Sequence, residues 1–454
     1  MSTEKPYPFA PGEWLPPLSR VFNYVNTLRD EALNGSPYSK DQPHSLDPKV
    51  KYPKVITDFR DLVKSDPGLE ELSKKMFEEI PRFENDPTKF YNVRSFDEAL
   101  MIFNIILFQS PSVMTLNSGL SGITVPFNAV LNWPANTPSG NEFFLNEGVN
   151  EKIKDIVNQW GAFLQSPASR AHLNTSDNGG WFSPAYVKRM KDYAQWDGPI
   201  EELYVCDPTI DYWGFASWDA FFVRRFRPGR RPVQDKDEPG IYIVSPCEAG
   251  PQVEEGKQYP EDVRTKGNVQ ARDTFWLKGQ PYSIFDMLNY DGLSRRFVFG
   301  TVYQGWLSSA CYHRWHAPIS GTIKKVALIP GTYYSTVMSH NYPEPDPSGP
   351  NLSQLYLTSV ATRALIFIEA DYQPLGLVCF IAIGMNEISS CEVIVKEGSR
   401  VNKGDEIGMF HMGGSAFCLL FENGVNLKFE PLPDIPSNPH KLFKLNSRLA
   451  TVIT

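Results

Sequence analysis

The chain predicts an α+β fold, helical in its first part and β-rich in its second, and three observations carry that reading. Apolar residues recur at helical spacing up to about residue 165. Beyond RPGRRPV (227–233) the pattern changes, and from about residue 240 short β-rich runs alternate with Gly/Pro turns. The 454 residues are enough for two or three domains and a sizeable core. The expected layout is a helical N-terminal domain over 1–165 and a β-rich catalytic domain over 166–454.

The elements follow in order. ITDFRDLVKSDPGLEELSKKMFEEIPRF (56–83) is amphipathic and is broken at Asp66-Pro67-Gly68. SFDEALMIFNIILFQ opens with Ser95 and Glu98 at capping-box spacing. NEGVNEKIKDIVNQWGAFLQS is a further amphipathic helix. The turn-rich NTSDNGGWFSP (174–184) leads into AYVKRMKDYAQW and SWDAFFVRRF. Then IYIVSP, RRFVFGTVYQGWL, GTIKKVALIPGTYY, RALIFIEAD, LGLVCFIAIGM and CEVIVKEG read as strands. The Pro/Asp-rich SHNYPEPDPSGPNLSQ (339–354) has no regular pattern, and loops of that length are functional or mobile.

Composition narrows the function classes. A net charge of −8 argues against broad nucleic-acid binding, which needs basic excess, and leaves only a local patch at Arg224-Arg225-Phe226-Arg227 and Arg230-Arg231. The 6 cysteines form no CxxC pair, so neither a disulfide framework nor zinc-ligand spacing is present, and a reducing compartment fits. The N-terminus has no apolar signal region, and the longest apolar runs (99–108 and 375–385) are too short to span a bilayer. A soluble, cytoplasmic protein with no integral membrane segment is expected.

Chemistry concentrates in a few stretches. Two of the 7 histidines, His313 and His316, share CYHRWHAPISG. In a strand that spacing puts them on opposite faces; in a turn they can share one. They lack the glutamate of an HExxH zinc motif and an obvious third ligand, so no metal is expected. Glu248 in VSPCEAG sits at a strand end, where an acid is usually just solvated. Facing a histidine, it would fix the imidazole tautomer. VKEGSRVNKGDEIGMF (395–410) is similar to the turns of lipoyl-type modules, but Lys396 and Lys403 lack a carrier lysine's context, so it reads as architecture. In FHMGGSAFCLLF (410–421), Gly413-Gly414-Ser415 interrupts an apolar strand. That is either a β-bulge or a place where another group must approach the backbone. Tyr312 and Trp315 line a substrate pocket or simply pack, and Arg363 pairs with a substrate carboxylate or a buried acid.

Four stretches, SWDAFFVRRFRPGRRPV, VSPCEAG, YHRWHAPISG and VNKGDEIGMFHMGGS, resemble in order the motifs of the phosphatidylserine decarboxylase superfamily. The resemblance covers roughly 210–421. The helical N-terminal part resembles the soluble fungal branch of tryptophan decarboxylases. The resemblance implies a zymogen that cuts itself between Gly414 and Ser415, giving fragments of 414 and 40 residues. Ser415 would attack the Gly414 carbonyl and become a covalent pyruvoyl group, which forms a Schiff base with a substrate amine and acts as electron sink. His316 would be the base, Glu248 its orienting acid, and His313 the proton donor in decarboxylation. The chain departs from the family in carrying glutamate where the family has aspartate, and Ala416 where threonine is common. The implied substrate is a free amino acid of secondary metabolism, aromatic and first of all L-tryptophan. The alternatives are phosphatidylserine, or a non-catalytic binding module.

Overall fold

The structure is a computed structural model. It describes residues 18–34, 51–80, 92–116, 119–123, 125–234, 242–250, 264–266, 275–277, 280–335, 354–385, 387, 390–412, 415–431 and 442–453. The 339–354 loop therefore lies almost wholly outside the described residues, as do Gly413 and Gly414.

The first part is helical: α1 (Leu18–Ala32), α2 (Lys54–Ser65), α3 (Pro67–Glu78), α4 (Phe96–Ile106), α5 (Pro126–Ala135), α6 (Pro138–Leu145) and α7 (Glu147–Leu164). The expected break at Asp66 is a helix boundary. Asp66 accepts hydrogen bonds from the Gly68 and Leu69 amides at 2.8 and 3.1 Å, and Pro67 supplies the first turn, where its missing N–H costs nothing. Ser95 caps α4 by accepting from Glu98 N at 3.2 Å, while the buried Glu98 carboxylate takes Arg29 of α1 at 2.9 Å. A small sheet of β1 (Ser112–Leu116), β2 (Gly119–Ile123) and β3 (Asn178–Gly179) was not expected from the sequence. It is followed by α8 (Pro184–Tyr193), α9 (Ile200–Leu203) and α10 (Trp218–Phe222).

The second part is antiparallel sheet. Its strands in chain order are β4 (Tyr242–Val244), β5 (Arg264–Lys266), β6 (Phe275–Leu277), β7 (Gln280–Tyr282), β8 (Thr301–Leu307), β9 (Arg314–His316), β10 (Gly321–Ile329), β11 (Arg363–Ala370) and β12 (Leu377–Gly384). They continue as β13 (Ser390–Val393), β14 (Arg400–Val401), β15 (Glu406–His411), β16 (Ser415–Phe421), β17 (Leu427–Phe429) and β18 (Arg448–Val452). The main sheet runs β14-β10-β11-β12-β16-β8-β5, and a smaller one runs β13-β15-β9. β12 is buried along its whole length, which explains why LGLVCFIAIGM is continuously apolar rather than alternating. Gly408 in β15 is needed for packing: a Cβ there would meet the Trp315 ring at 2.5 Å.

The helical and β parts meet through α5 and α7. Glu387, wholly buried in the turn after β12, accepts from Asn128 N at 3.0 Å in the first turn of α5. A Cβ on Gly161 of α7 would stand 3.1 Å from the tip of Met412.

Candidate active site

One helical turn organises two histidines. Ser217 caps α10 by accepting from Ala220 N at 3.1 Å. Asp219 and Phe222, three residues apart, then lie on the same side of the turn. Phe222 stacks on the His313 ring with centroids 3.9 Å apart. Asp219 accepts from Nδ1 of His411 at 3.0 and 3.1 Å. Phe410 N donates to the His313 carbonyl at 2.9 Å, which keeps these two stretches side by side. Arg224 holds the approach to His313 by donating to the carbonyls of Ala310 and Cys311 at 2.6 and 2.9 Å.

The histidines differ in charge. His313 is fully buried; burial, with Arg224 beside it, holds it well below the ordinary histidine range, so the ring is neutral. His316 donates from Nδ1 to the Gly404 carbonyl at 2.7 Å and accepts at Nε2 from the Tyr312 hydroxyl at 3.1 Å. Burial lowers its pKa against the pull of that carbonyl. It is a neutral imidazole with a basic Nε2. His411 has carboxylates on both nitrogens, Asp219 on Nδ1 and Glu392 on Nε2 at 2.7 Å. Burial alone would lower its pKa, but Asp219 and Glu392 outweigh it and hold the ring above the ordinary range.

Ser415 opens β16, opposite Gly384 of β12 on one side and Leu307 of β8 on the other. Just before it, Met412 holds φ at +59°. A long side chain in the left-handed region stores roughly 1–2 kcal/mol of strain. That residue is buried and packs toward α7, so the strain is held by surrounding structure.

Several sequence expectations are redirected. Glu248 is wholly buried, and its carboxylate accepts from Arg231 at 2.5 Å rather than meeting His316. Only the backbone of the VSPCEAG turn reaches that histidine, through Pro246 O and His316 N at 2.9 Å. Burial pushes the Glu248 pKa up, opposed by Arg231. The orienting contact on His316 is the Gly404 carbonyl. Arg363 is held by backbone: it donates to the carbonyls of Met287, Ala361 and Asp286 at 2.8, 2.8 and 2.6 Å. Trp315 is fully buried, edge-on to Phe410, and Tyr312 stacks on Phe226. Trp315 is a packing residue, whereas Tyr312 both packs and places its hydroxyl on His316. The arginine-rich stretch is committed internally as well, with Arg225 on Glu406, Arg230 on Glu202 and Arg231 on Glu248. His411 was not singled out from the sequence, although it stands four residues before Ser415. Its signal was that position, in FHMGGS.

Two family models described as phosphatidylserine decarboxylase match residues 53–190 and 218–435. The chain belongs to the phosphatidylserine decarboxylase family. It is 41% identical over 338 residues to decarboxylase iboD of Amanita muscaria, covering 72% of this chain and 91% of that one. It is 32% identical over 450 residues to the L-tryptophan decarboxylase of Psilocybe cyanescens, covering 97% and 94%. To phosphatidylserine decarboxylase proenzyme 3 of Schizosaccharomyces pombe it is 28% identical over 243 residues, or 54% of this chain and 22% of that one. The likeness to the tryptophan decarboxylase takes in the helical first part, and the fold is that of a fungal-branch member of the family. The chain is a carboxy-lyase. Among the described residues no helix is long and apolar enough to cross a membrane, and no cluster of His, Cys, Asp and Glu could hold a metal ion.

Family members are generally pyruvoyl-dependent. The residues present fit such a group: a serine follows two glycines at the start of a strand, faces the glycine Gly384, and is preceded by a strained backbone.

Proposed function

We propose that this family member is a self-processing decarboxylase of a free amino acid, aromatic and first of all L-tryptophan, working in the cytoplasm. In this reading residues 1–165 form a helical domain and 166–454 the catalytic domain, cut between Gly414 and Ser415 into two fragments that stay together. The observation that supports it most is the Gly-Gly-Ser at a strained strand entrance in a chain that aligns end to end with a tryptophan decarboxylase.

In processing, the Ser415 hydroxyl attacks the Gly414 carbonyl carbon, and its proton passes to the basic Nε2 of His316 and on to the Ser415 nitrogen as the Gly414–Ser415 C–N bond breaks. The ester then eliminates, releasing the Gly414 carboxylate, and water converts the dehydroalanine left at 415 into the pyruvoyl group and ammonia. The Gly404 carbonyl holds that imidazole in the tautomer a base needs. Tyr312 must release Nε2 for this to happen, because its hydroxyl occupies the same lone pair. Glu248 acts at a distance, pinning Arg231 and the turn that carries Pro246. The pyruvoyl group formed from Ser415 supplies the electron sink for loss of CO2. His313 sits beside the processing strand as a neutral, stacked imidazole, so it must take up a proton after substrate binds if it is to donate one.

A denaturing gel and a CO2-release assay test the reading together. Purified protein should run as two fragments, and Ser415→Ala as one. CO2 release from tryptophan, phenylalanine, tyrosine and serine is compared with release from phosphatidylserine vesicles, without added pyridoxal phosphate. Intact, active protein would sink self-processing. Turnover confined to vesicles would move the substrate to the lipid.

A further inference from the structure

A cavity of about 810 Å³ opens between α7 and the end of the main sheet. Its sheet-side end is lined by His411, Thr362 and Cys391. We propose that this cavity takes the free amino-acid substrate, so that the helical N-terminal part of the chain sets which amino acid is used. The inference rests on the amino-acid reading above and adds where that substrate binds.

Position is the first argument. The Thr362 carbonyl accepts from Gly384 N at 2.9 Å, and Gly384 faces Ser415 across β12 and β16. With strands about 4.8 Å apart, the Thr362 end of the cavity lies roughly 10 Å from residue 415. His411 approaches the same end from four residues before Ser415 along the chain. A ligand in this space would lie between α7 and the strands that carry the processed residue.

The wall is the second argument. Glu147, Glu151, Lys154 and Asn158 of α7 line the cavity and recur at near four-residue spacing, so one face of the helix supplies them. The opposite face of α7 buries Ile153, Ile156, Val157 and Trp160, which fixes the helix against its own domain. Asn150 joins the helix to the far wall by accepting from Tyr333 N at 3.0 Å. The lining face is thus rigidly mounted.

Charge and size are the third. Glu147, Glu151 and Glu392 face a single lysine, Lys154, together with His411. Such a lining attracts an α-ammonium group, offers Lys154 to the carboxylate, and repels a phosphodiester headgroup. The volume falls in the range that encloses a small molecule. Leu145 and Leu328, 47% and 59% exposed, stand at the rim and give a side-chain ring apolar contact without the length two acyl chains need.

The test uses the full chain. L-Tryptophan is titrated calorimetrically into Ser415→Ala protein, which cannot process, and into the same protein carrying Lys154→Glu or Glu151→Lys. Both changes are on exposed positions of α7, and a thermal melt confirms the fold. Binding by Ser415→Ala and a loss of tenfold or more with Lys154→Glu are expected. In processed enzyme the same lysine change should raise KM by a similar factor while the two-fragment pattern stays as in wild type. Affinity and KM within twofold of wild type for both charge changes would overturn the cavity assignment while amino-acid turnover stood. No binding by Ser415→Ala would also overturn it. Absence of turnover on every amino acid tested would remove the underlying reading, and this inference with it.

Discussion

His313 and His411 hang from the same short turn of α10, one on Phe222 and the other on Asp219, yet they differ in charge. His313 is sealed under an aromatic ring beside Arg224, where a positive charge is costly. His411 looks into a cavity with an acceptor-only carboxylate on each nitrogen, a geometry that only the doubly protonated ring satisfies fully. The difference lies in what the turn presents three residues apart, not in the histidines themselves. It also separates roles. A neutral imidazole is ready to accept a proton, whereas a charged one is ready to donate it or to hold an anion.

The largest effect expected from this comparison is on processing. His316, neutral and tautomerically fixed like a general base, should slow fragment formation by roughly 10²–10⁴-fold when changed to alanine. His411→Ala should slow it by less than about tenfold, because a charged imidazole has no free lone pair for the serine proton. A denaturing-gel time course reads both. The reverse ranking would make His411 the processing base and leave His316 a structural residue.

Next in size is decarboxylation. His313→Ala should still yield both fragments, since the processing base is His316 in this reading, but kcat should fall by roughly 10²-fold or more. Full kcat in a fully processed His313→Ala chain would end its catalytic role and shift attention to the cavity-facing imidazole.

Much of this was legible in the sequence, and the rest was not for a physical reason. Helix boundaries are local events, so the break at Asp66-Pro67-Gly68 and the Ser95 cap could be read from their neighbours alone. The β-rich half declared itself through apolar runs and turns, and the order of four motifs pointed to the family. Side-chain partners are not local. Asp219 and His411 are 192 residues apart, and nothing in either stretch names the other. Glu248 was expected to face a histidine, but Arg231 lies closer along the chain and supplies a formal charge. Burying a carboxylate without such a partner is costly. Arg363 was expected to pair with a substrate carboxylate or a buried acid, and three backbone carbonyls hold it instead.

Glu387 extends the comparison to an acid that burial also keeps neutral. Burial raises its pKa to about 7, well above the ordinary carboxylate range, opposed by the amides at the start of α5. Below about 4.5 the carboxyl is protonated in both folded and unfolded chains. Between there and about 7 the unfolded chain ionises while the folded one keeps its proton, so stability falls as pH rises. That difference corresponds to a few kcal/mol, on the order of 3. Denaturant midpoints of wild type should therefore drop across that window, and Glu387→Gln should flatten the drop. A wild-type profile already flat from 4.5 to 7 would show that the α5 amides hold the carboxylate ionised.

The smallest expected effect bears on the other arm of the comparison. His411 has a raised pKa because its carboxylate partners outweigh burial, so its contribution to stability has the sign of a base gaining a partner. That contribution is complete below the unfolded histidine value of about 6.5 and is lost as pH rises through the folded value. Asp219→Asn keeps the shape and one hydrogen bond but removes the charge. It should move the His411 titration to lower pH and cost roughly 1 kcal/mol at acidic pH, the difference between a charge-assisted and a neutral hydrogen bond. A histidine-selective NMR titration reads the first, and denaturant melts at pH 5.5 and 8.5 read the second, with the gap between wild type and variant narrowing at the higher pH. Because Glu392 remains on Nε2 and is half exposed, part of the upward shift should survive the substitution. If the titration does not move, the charge on His411 comes from Glu392 and the cavity side, and α10 does no more than position the ring.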